Sequence, residues 1–227
     1  MKKLSVFVLL LISISVAGQP VNRTQLLHEN IKTLQVKVDE NPICLPVITL
    51  NGSEMLQISF DEMSHNIHSY SYSIKHCNAD WSLSNLSSTE YIEGFTTGRI
   101  DDYALSVNTT FLYTHYRFQL PSNEMKWKLS GNYMVNIFED NQQDDPVAKV
   151  CFSVVEPRVQ IEAAVRGNTD TELSGRLQQL DFDVLLNDYR IQDAQSEIKV
   201  VIRQNNRTDN QVTDIKPSYL AAGKLSY

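Results

Sequence analysis

Cysteine is scarce in this sequence. The chain has three cysteines, Cys44, Cys77 and Cys151, so at most one internal disulfide can form and one thiol is left over. This count excludes a small domain stapled by several disulfides, and the fold must depend on its hydrophobic core. Cys77 paired with Cys151 would join a tyrosine-rich strand to a later strand, and Cys44 is an equal candidate partner.

The spacings typical of metal and catalytic sites are absent too. The sequence has no Cys-x2-Cys, no His-x3-His, no Gly-x-Ser-x-Gly elbow and no glycine-rich phosphate loop. His76, Cys77 and Asp80 are close in sequence, but adjacent residues on a strand point to opposite faces. We therefore predict no catalytic, cofactor-binding or metal-binding residue and no enzyme. In this interpretation Asn78 and Asp80 form a turn, and Trp81 covers the core.

Positive charge is in the minority. Twenty Lys and Arg face 27 Asp and Glu, which gives a net charge of -7, and no basic run appears. Because phosphate binding requires clustered Lys and Arg, a nucleic-acid partner is not expected. A small-molecule substrate and a cofactor are not expected either, because the sequence contains no motif for them.

Only one long apolar run is present. It extends from Leu4 to Val16, follows Lys2 and Lys3, and is followed by Ala17 and Gly18. This order is typical of a secretory signal peptide over residues 1–18. The run is shorter than the roughly 20 residues that a membrane-spanning helix needs, so we expect an exported protein without direct membrane insertion.

Short segments rich in β-branched and aromatic residues fill most of the remaining chain. Alternation of apolar and polar side chains predicts half-buried antiparallel strands. Asn51 and Gly52 predict a hairpin between the second and third strands, because both residues tolerate positive φ. Short helices are compatible with Val21–Asn30 and Asp170–Leu180. The predicted strands are Ile31–Val38, Leu45–Leu50, Met55–Phe60, Ile67–Ile74, Tyr113–Leu120, Tyr133–Phe138 and Val147–Val155.

These strands predict an all-β fold, an immunoglobulin-like antiparallel β-sandwich over residues 19–156. The segment Leu129–Val135 supports it, because Tyr133 stands where the tyrosine corner of such sandwiches occurs. Val135 occupies the position at which an antibody domain has its second cysteine, so the disulfide between the sheets is absent.

A second β-rich domain is predicted over residues 157–227. Its strands are Val159–Val165, Leu180–Leu186 and Ile198–Arg203. Because a complete sandwich needs about 100 residues and seven strands, we expect this domain to be incomplete and the chain to be a fragment.

The order of short sequence words across residues 67–155 resembles the type IX secretion system plug protein family. The words are His76-Cys-Asn-Ala-Asp-Trp81 after Tyr72 and Ile74, Glu90-Tyr-Ile-Glu-Gly-Phe95, Ile100-Asp-Asp-Tyr103, Ser106-Val-Asn-Thr109, Tyr113-Thr-His-Tyr116, Leu120-Pro121 and Ser130-Gly-Asn-Tyr133. Each word is short, and the specificity comes from their order and spacing. Members of this family generally extend well beyond residue 227.

The resemblance implies a non-catalytic periplasmic protein at the inner face of the outer membrane. Its partner would be the outer-membrane translocon barrel, whose periplasmic mouth it would dock on and seal. The loop Ser82–Gly98 is then a candidate recognition surface, with Trp81, Tyr91, Phe95 and Tyr103 as candidate partner-binding residues. In the alternative reading, these aromatic side chains pack the core beneath a long connection.

Two other functions remain open at this stage. One is a secreted carbohydrate-binding or adhesive immunoglobulin-like module, which five Asn-x-Ser/Thr sequons would suit in a glycoprotein. The other is a hydrolase whose catalytic residues converge from separate loops, although the sequence nominates no residue for that role.

Overall fold

Two antiparallel sheets form the first part of the chain. The computed structural model describes residues 22–167, 169, 176–187, 189–207, 210–221 and 223–227. The predicted signal peptide at residues 1–18 lies outside the described residues, as do residues 170–175 of the second predicted helix. The elements up to residue 155 are β1 Gln25–Leu26, β2 Ile31–Val38, β3 Val47–Thr49, β4 Leu56–Glu62, β5 Tyr70–Cys77, α1 Ser88–Tyr91, β6 Ile92–Gly94, β7 Thr97–Ile100, β8 Asp102–Leu105, β9 Thr114–Leu120, β10 Met125–Trp127, β11 Gly131–Glu139 and β12 Ala148–Val155.

The strand order is that of an immunoglobulin-like sandwich, which confirms the predicted fold class. One sheet, called the first sheet, has the order β1-β12-β11-β5-β7, with β3 parallel to β12. The facing sheet, called the second sheet, has the order β2-β4-β9-β8. In immunoglobulin nomenclature the first is a G-F-C-C′ sheet and the second is an A-B-E-D sheet. A separate two-stranded ribbon pairs β6 with β10.

The core lies between the two sheets because alternate residues of each strand face inward. Tyr133, Val135 and Ile137 of β11 are fully buried in it. From the facing sheet, Phe60 and Tyr116 stack with ring centroids 5.2 Å apart. The predicted tyrosine corner is confirmed, because the Tyr133 hydroxyl donates a 2.6 Å hydrogen bond to the Leu129 carbonyl oxygen.

The Asn51–Gly52 hairpin prediction is wrong in its strand pairing. The turn exists, with Asn51 at φ 61° and the Gly52 amide donating to the Thr49 carbonyl oxygen at 2.9 Å. However, β3 pairs with β12 in the first sheet and β4 pairs with β2 and β9 in the second. The turn therefore carries the chain from one sheet to the other.

Three further expectations need correction. Within Val21–Asn30 the described residues form the short strand β1, not a helix, because Gln25 and Leu26 pair with β12. The short strands β6, β7, β8 and β10 were not predicted. The predicted strand Ile67–Ile74 begins only at Tyr70, and His65 and His68 lie in the loop before it.

No disulfide joins Cys77 and Cys151, a pairing that the sequence left open. Strand β11 lies between the two cysteines, with Asn132 opposite Cys77 and Met134 opposite Cys151. Two strand spacings separate their backbones by about 10 Å, whereas a disulfide needs Cα atoms about 4.4–6.8 Å apart. All three cysteines are free thiols, with Cys77 and Cys151 buried and Cys44 exposed.

A second β-rich unit follows Val155. Its elements are β13 Gln160–Arg166, β14 Gln179–Leu185, α2 Ala194–Glu197, β15 Val201–Ile202, β16 Val212–Thr213, β17 Tyr219–Ala221 and β18 Lys224–Ser226. A four-stranded sheet has the order β13-β14-β18-β17, and β15 pairs with β16. Phe182, Val184, Leu186 and Leu225 form the small buried cluster of this unit, whereas every residue of β13 is exposed. The division into domains at residue 156 stays a prediction.

Candidate functional site

The His76–Trp81 segment ends strand β5 and turns the chain back. The Asn78 amide donates to the Ser82 carbonyl oxygen at 2.8 Å, and the Trp81 amide donates to the Asn78 carbonyl oxygen at 2.9 Å. The Asp80 carboxylate accepts hydrogen bonds from the amide and the hydroxyl of Ser82. These bonds lower the pKa of Asp80. The predicted turn role of Asn78 and Asp80 is therefore confirmed.

Trp81 covers the outer face of the first sheet. It is 9% exposed and packs with Cys77, Met134 and Cys151, a cluster separate from the core between the sheets. Its carbonyl oxygen accepts a 2.7 Å hydrogen bond from the Asn22 side chain. The expectation that Trp81 covers the core holds only for this outer cluster, and its burial leaves little surface for a partner.

His76 points to the opposite face of the same strand. Its ring lies 5.1 Å from Tyr133 and 5.7 Å from Tyr91, and burial lowers its pKa. A Cβ atom at Gly131, whose φ is +147°, would lie 2.3 Å from the His76 Nε2 atom. His76 is thus a neutral packing residue held close to a glycine, and Cys77 diverges from it as the strand geometry predicts.

The other histidines near this segment bind neighbouring side chains and backbone. The His68 Nδ1 atom lies 2.6 Å from the buried Glu62 carboxylate, and the His65 Nε2 atom lies 3.3 Å from the Ser106 carbonyl oxygen. Among the described residues, no group of three or more His, Cys, Asp and Glu side chains is placed to hold a metal ion.

Tyr91 anchors the loop Ser82–Gly98 to the core. It ends helix α1, whose start is stabilised by the Glu90 carboxylate accepting a 2.7 Å hydrogen bond from the Ser87 amide. The Tyr91 ring is buried in the core, and its carbonyl oxygen accepts from the Lys128 amide. Tyr91 is therefore part of the scaffold under the loop, as the alternative reading expected.

Phe95 is the exposed aromatic residue of this loop. Phe95 is 65% exposed. It directly follows Gly94, whose φ is +96°. A Cβ atom at Gly94 would lie 2.0 Å from the Glu124 carbonyl oxygen, so only glycine fits there without a shift of the backbone. This close approach between Gly94 and Glu124 fixes the backbone from which the Phe95 side chain projects.

Tyr103 is exposed at a different place. It lies on edge strand β8 opposite Tyr116, with ring centroids 6.1 Å apart. Phe95 follows the β6–β10 ribbon, so the structure does not bring Phe95 and Tyr103 together. The four nominated residues thus divide into two buried supports, Trp81 and Tyr91, and two separate exposed side chains.

One exposed apolar stretch was not nominated from the sequence. The loop between β8 and β9 exposes Val107, Phe111 and Leu112. The sequence contains a signal for this stretch, because these apolar residues interrupt a run of Asn and Thr in a segment for which no strand is predicted.

The fold and these surfaces define the class of protein, an immunoglobulin-like β-sandwich with exposed apolar side chains on its loops. An immunoglobulin-like sandwich holds loops with exposed aromatic and apolar side chains, and loops on a rigid scaffold commonly bind other molecules. In the part of the chain that the structure describes, no helix is long and apolar enough to cross a membrane.

Residues 31–156 match the family model described as type 9 secretion system plug protein 1st domain. The chain belongs to this family, as the resemblance in its sequence predicted. The description of the family names a plug protein of the type IX secretion system. Membership points to a periplasmic or envelope location.

A solved structure is similar to most of the chain. The crystal structure of a hypothetical protein from Parabacteroides merdae is 40% identical with a TM-score of 0.87, covering 90% of this chain. The chain spans 52% of that protein's length. An alkylpurine DNA glycosylase from Pseudomonas fluorescens, solved bound to DNA with an abasic site analog, has a TM-score of 0.31 and 12% identity over 56% of this chain and 30% of its own, which is too low to show a shared fold. A search of curated proteins found no match.

Proposed function

We propose that this protein is a non-catalytic periplasmic plug of the type IX secretion system. It docks on the periplasmic mouth of the outer-membrane translocon barrel and closes it when no cargo is engaged. The protein works at the inner face of the outer membrane through protein contacts alone.

The observation that carries the proposal is the extent of the family match. Residues 31–156 run from the start of β2 to the end of β12, which includes every strand of both sheets except the two-residue strand β1. The match therefore covers nearly all of the scaffold on which the loops are displayed.

Phe95 is our candidate contact within the loop Ser82–Gly98. Its exposed ring is held by the Gly94 approach to Glu124, and Tyr91 fixes the base of the loop. Exposed aromatic side chains on fixed backbone lose little conformational entropy on binding and are frequent interface hot spots. Trp81 and Tyr91 act as supports, and Tyr103 is a separate candidate contact.

The test is affinity purification of the tagged full-length protein from native envelopes in mild detergent, followed by mass spectrometry. We expect one very large outer-membrane barrel protein to co-elute in near-equal amount. Phe95→Ala should reduce this recovery, whereas Ile43→Ala, a matched change at another exposed apolar residue, should not. A clean monomer with no barrel, together with binding on a glycan array, would replace the plug proposal by the carbohydrate-binding alternative.

A further inference from the structure

Three loops meet at one end of the sandwich. They connect β4 to β5 (63–69), β8 to β9 (106–113) and β11 to β12 (140–147). The register places them together, because Glu62 pairs with Thr114 and Glu139 pairs with Tyr70 at the strand ends. The chain leaves the sandwich at the opposite end, after Val155, where the Phe95 loop also lies.

Hydrogen bonds between these loops hold them in place. The Thr114 hydroxyl donates to the Ser64 carbonyl oxygen at 3.0 Å, and the Asp140 amide donates to the Ser69 carbonyl oxygen at 2.8 Å. Within the loop 106–113, the Ser106 amide donates to the Tyr113 carbonyl oxygen at 2.9 Å. The end of the sandwich is thus organised before any partner binds.

This organised end exposes large apolar side chains. In the loop 106–113, Val107 is 78% exposed, Phe111 is 73% exposed and Leu112 is also exposed. In the loop 63–69, Met63 and Ile67 are exposed. Groups of exposed apolar side chains on soluble proteins commonly mark binding sites. We call Met63, Ile67, Val107, Phe111 and Leu112 the loop-end surface.

Acidic side chains outnumber Lys and Arg on the turns at this end of the sandwich. Glu29, Asp144 and Asp145 are exposed on neighbouring turns, and Asp145 is linked to the turn before β2 by a 3.2 Å contact with His28. On the adjacent strand end, Arg99 is already engaged by Asp101 and Asp140, at 3.5 and 3.9 Å. This excess of acid opposes an anionic lipid surface, which attracts Lys and Arg instead.

We propose that the loop-end surface is a docking site for a protein surface whose apolar patch is bordered by Lys and Arg. The inference rests on the proposed function in one respect, because it takes that surface to belong to the periplasmic side of the translocon. The apolar side chains supply the contact, and the acidic border selects the partner and orients its approach. The site is additional to Phe95, which lies at the other end of the sandwich.

The experiment measures binding of the purified full-length chain to the purified translocon barrel. The variants are Val107→Asp with Phe111→Asp, the charge reversal Asp144→Lys, and the matched control Ile43→Asp, which changes an exposed apolar residue elsewhere. Thermal unfolding of each variant confirms that it is folded. We expect the double variant to weaken binding at least about tenfold, as for a hot spot, Asp144→Lys to weaken it and reduce its salt dependence, and Ile43→Asp to leave it unchanged.

Three outcomes would count against the inference. Wild-type strength in the double variant overturns the inference alone and leaves the proposed function standing. Absence of any wild-type binding overturns the proposed function, and the inference falls with it. Flotation of the wild type with phosphatidylethanolamine–phosphatidylglycerol vesicles, lost in the double variant, would assign the loop-end surface to a membrane instead.

Discussion

The Tyr133 hydroxyl lies 2.6 Å from the Leu129 carbonyl oxygen, four residues earlier in the chain. This hydrogen bond joins the start of β11 to the loop that precedes it. Tyr133 is fully buried, and its ring also contacts Trp127 at 4.7 Å between centroids. The bond therefore ties the loop after β10 to the buried start of β11.

Substitution of this hydroxyl tests its contribution. Tyr133→Phe leaves the partly buried Leu129 carbonyl oxygen without its donor, so we expect the free energy of unfolding to fall by about 1–2 kcal/mol. Urea unfolding followed by tryptophan fluorescence measures the loss. Tyr103→Phe, which removes a hydroxyl from an exposed residue, should change the midpoint little. Equal midpoints for the two variants would contradict a stabilising corner.

Gly131 tests the close packing against His76. Gly131→Ala adds a Cβ atom 2.3 Å from the His76 Nε2 atom, at a φ of +147° that L-residues rarely adopt. We expect a loss of about 2 kcal/mol or more in the free energy of unfolding. Gly167→Ala is the control, because nothing lies within 4 Å of its added Cβ atom. Similar thermal midpoints for both alanine variants would show that the backbone adapts at Gly131.

Substitution of Trp81 should reduce stability, whereas substitution of Phe95 should reduce partner binding. Trp81→Ala removes a buried ring from the cluster with Cys77 and Met134, and we expect a loss of about 3 kcal/mol in stability. Phe95→Ala removes an exposed ring and should leave the unfolding midpoint unchanged while it weakens barrel recovery. A stable Trp81→Ala protein with weakened binding would reverse these assignments.

The three thiols should react at very different rates. Burial raises the pKa of Cys77 to about 11 and that of Cys151 to about 12, so both are neutral thiols at pH 8. Since the thiolate is the reactive form, we expect Ellman's reagent to label exposed Cys44 rapidly and the other two only after unfolding. The Cys44→Ser variant should show no rapid phase. Fewer than three thiols in denaturant without reductant would indicate a disulfide.

These raised pKa values also set the sign of the alkaline response. Unfolded thiols ionise near pH 9, below the values of the folded Cys77 and Cys151. Their contribution to stability is therefore complete below about pH 9 and is lost as the pH rises through 11 to 12. Cys77→Ala with Cys151→Ala should flatten the alkaline decline in the unfolding free energy, whereas Cys44→Ser should leave it unchanged.

The sequence by itself determined the strands that make up the sandwich. Alternation of apolar and polar residues is a property of neighbouring residues, so Ile31–Val38 was predicted with its observed bounds, and β5, β9, β11 and β12 were located to within a few residues. The tyrosine corner and the turn at Asn78 and Asp80 were equally predictable, because their hydrogen bonds join residues at most four positions apart. The order of short sequence words along residues 67–155 was also sufficient to identify the family.

Only the tertiary structure decided which strands pair and which side chains are covered. Asn51 and Gly52 form the predicted turn, but the partner of β3 is β12, about a hundred residues away. Cys77 and Cys151 share a face with β11 between them, which sequence spacing cannot show. Trp81 is buried and Phe95 is exposed because burial depends on what packs over a residue from distant parts of the chain. The loop-end surface follows from the same cause, since three separate loops meet only when both sheets have formed.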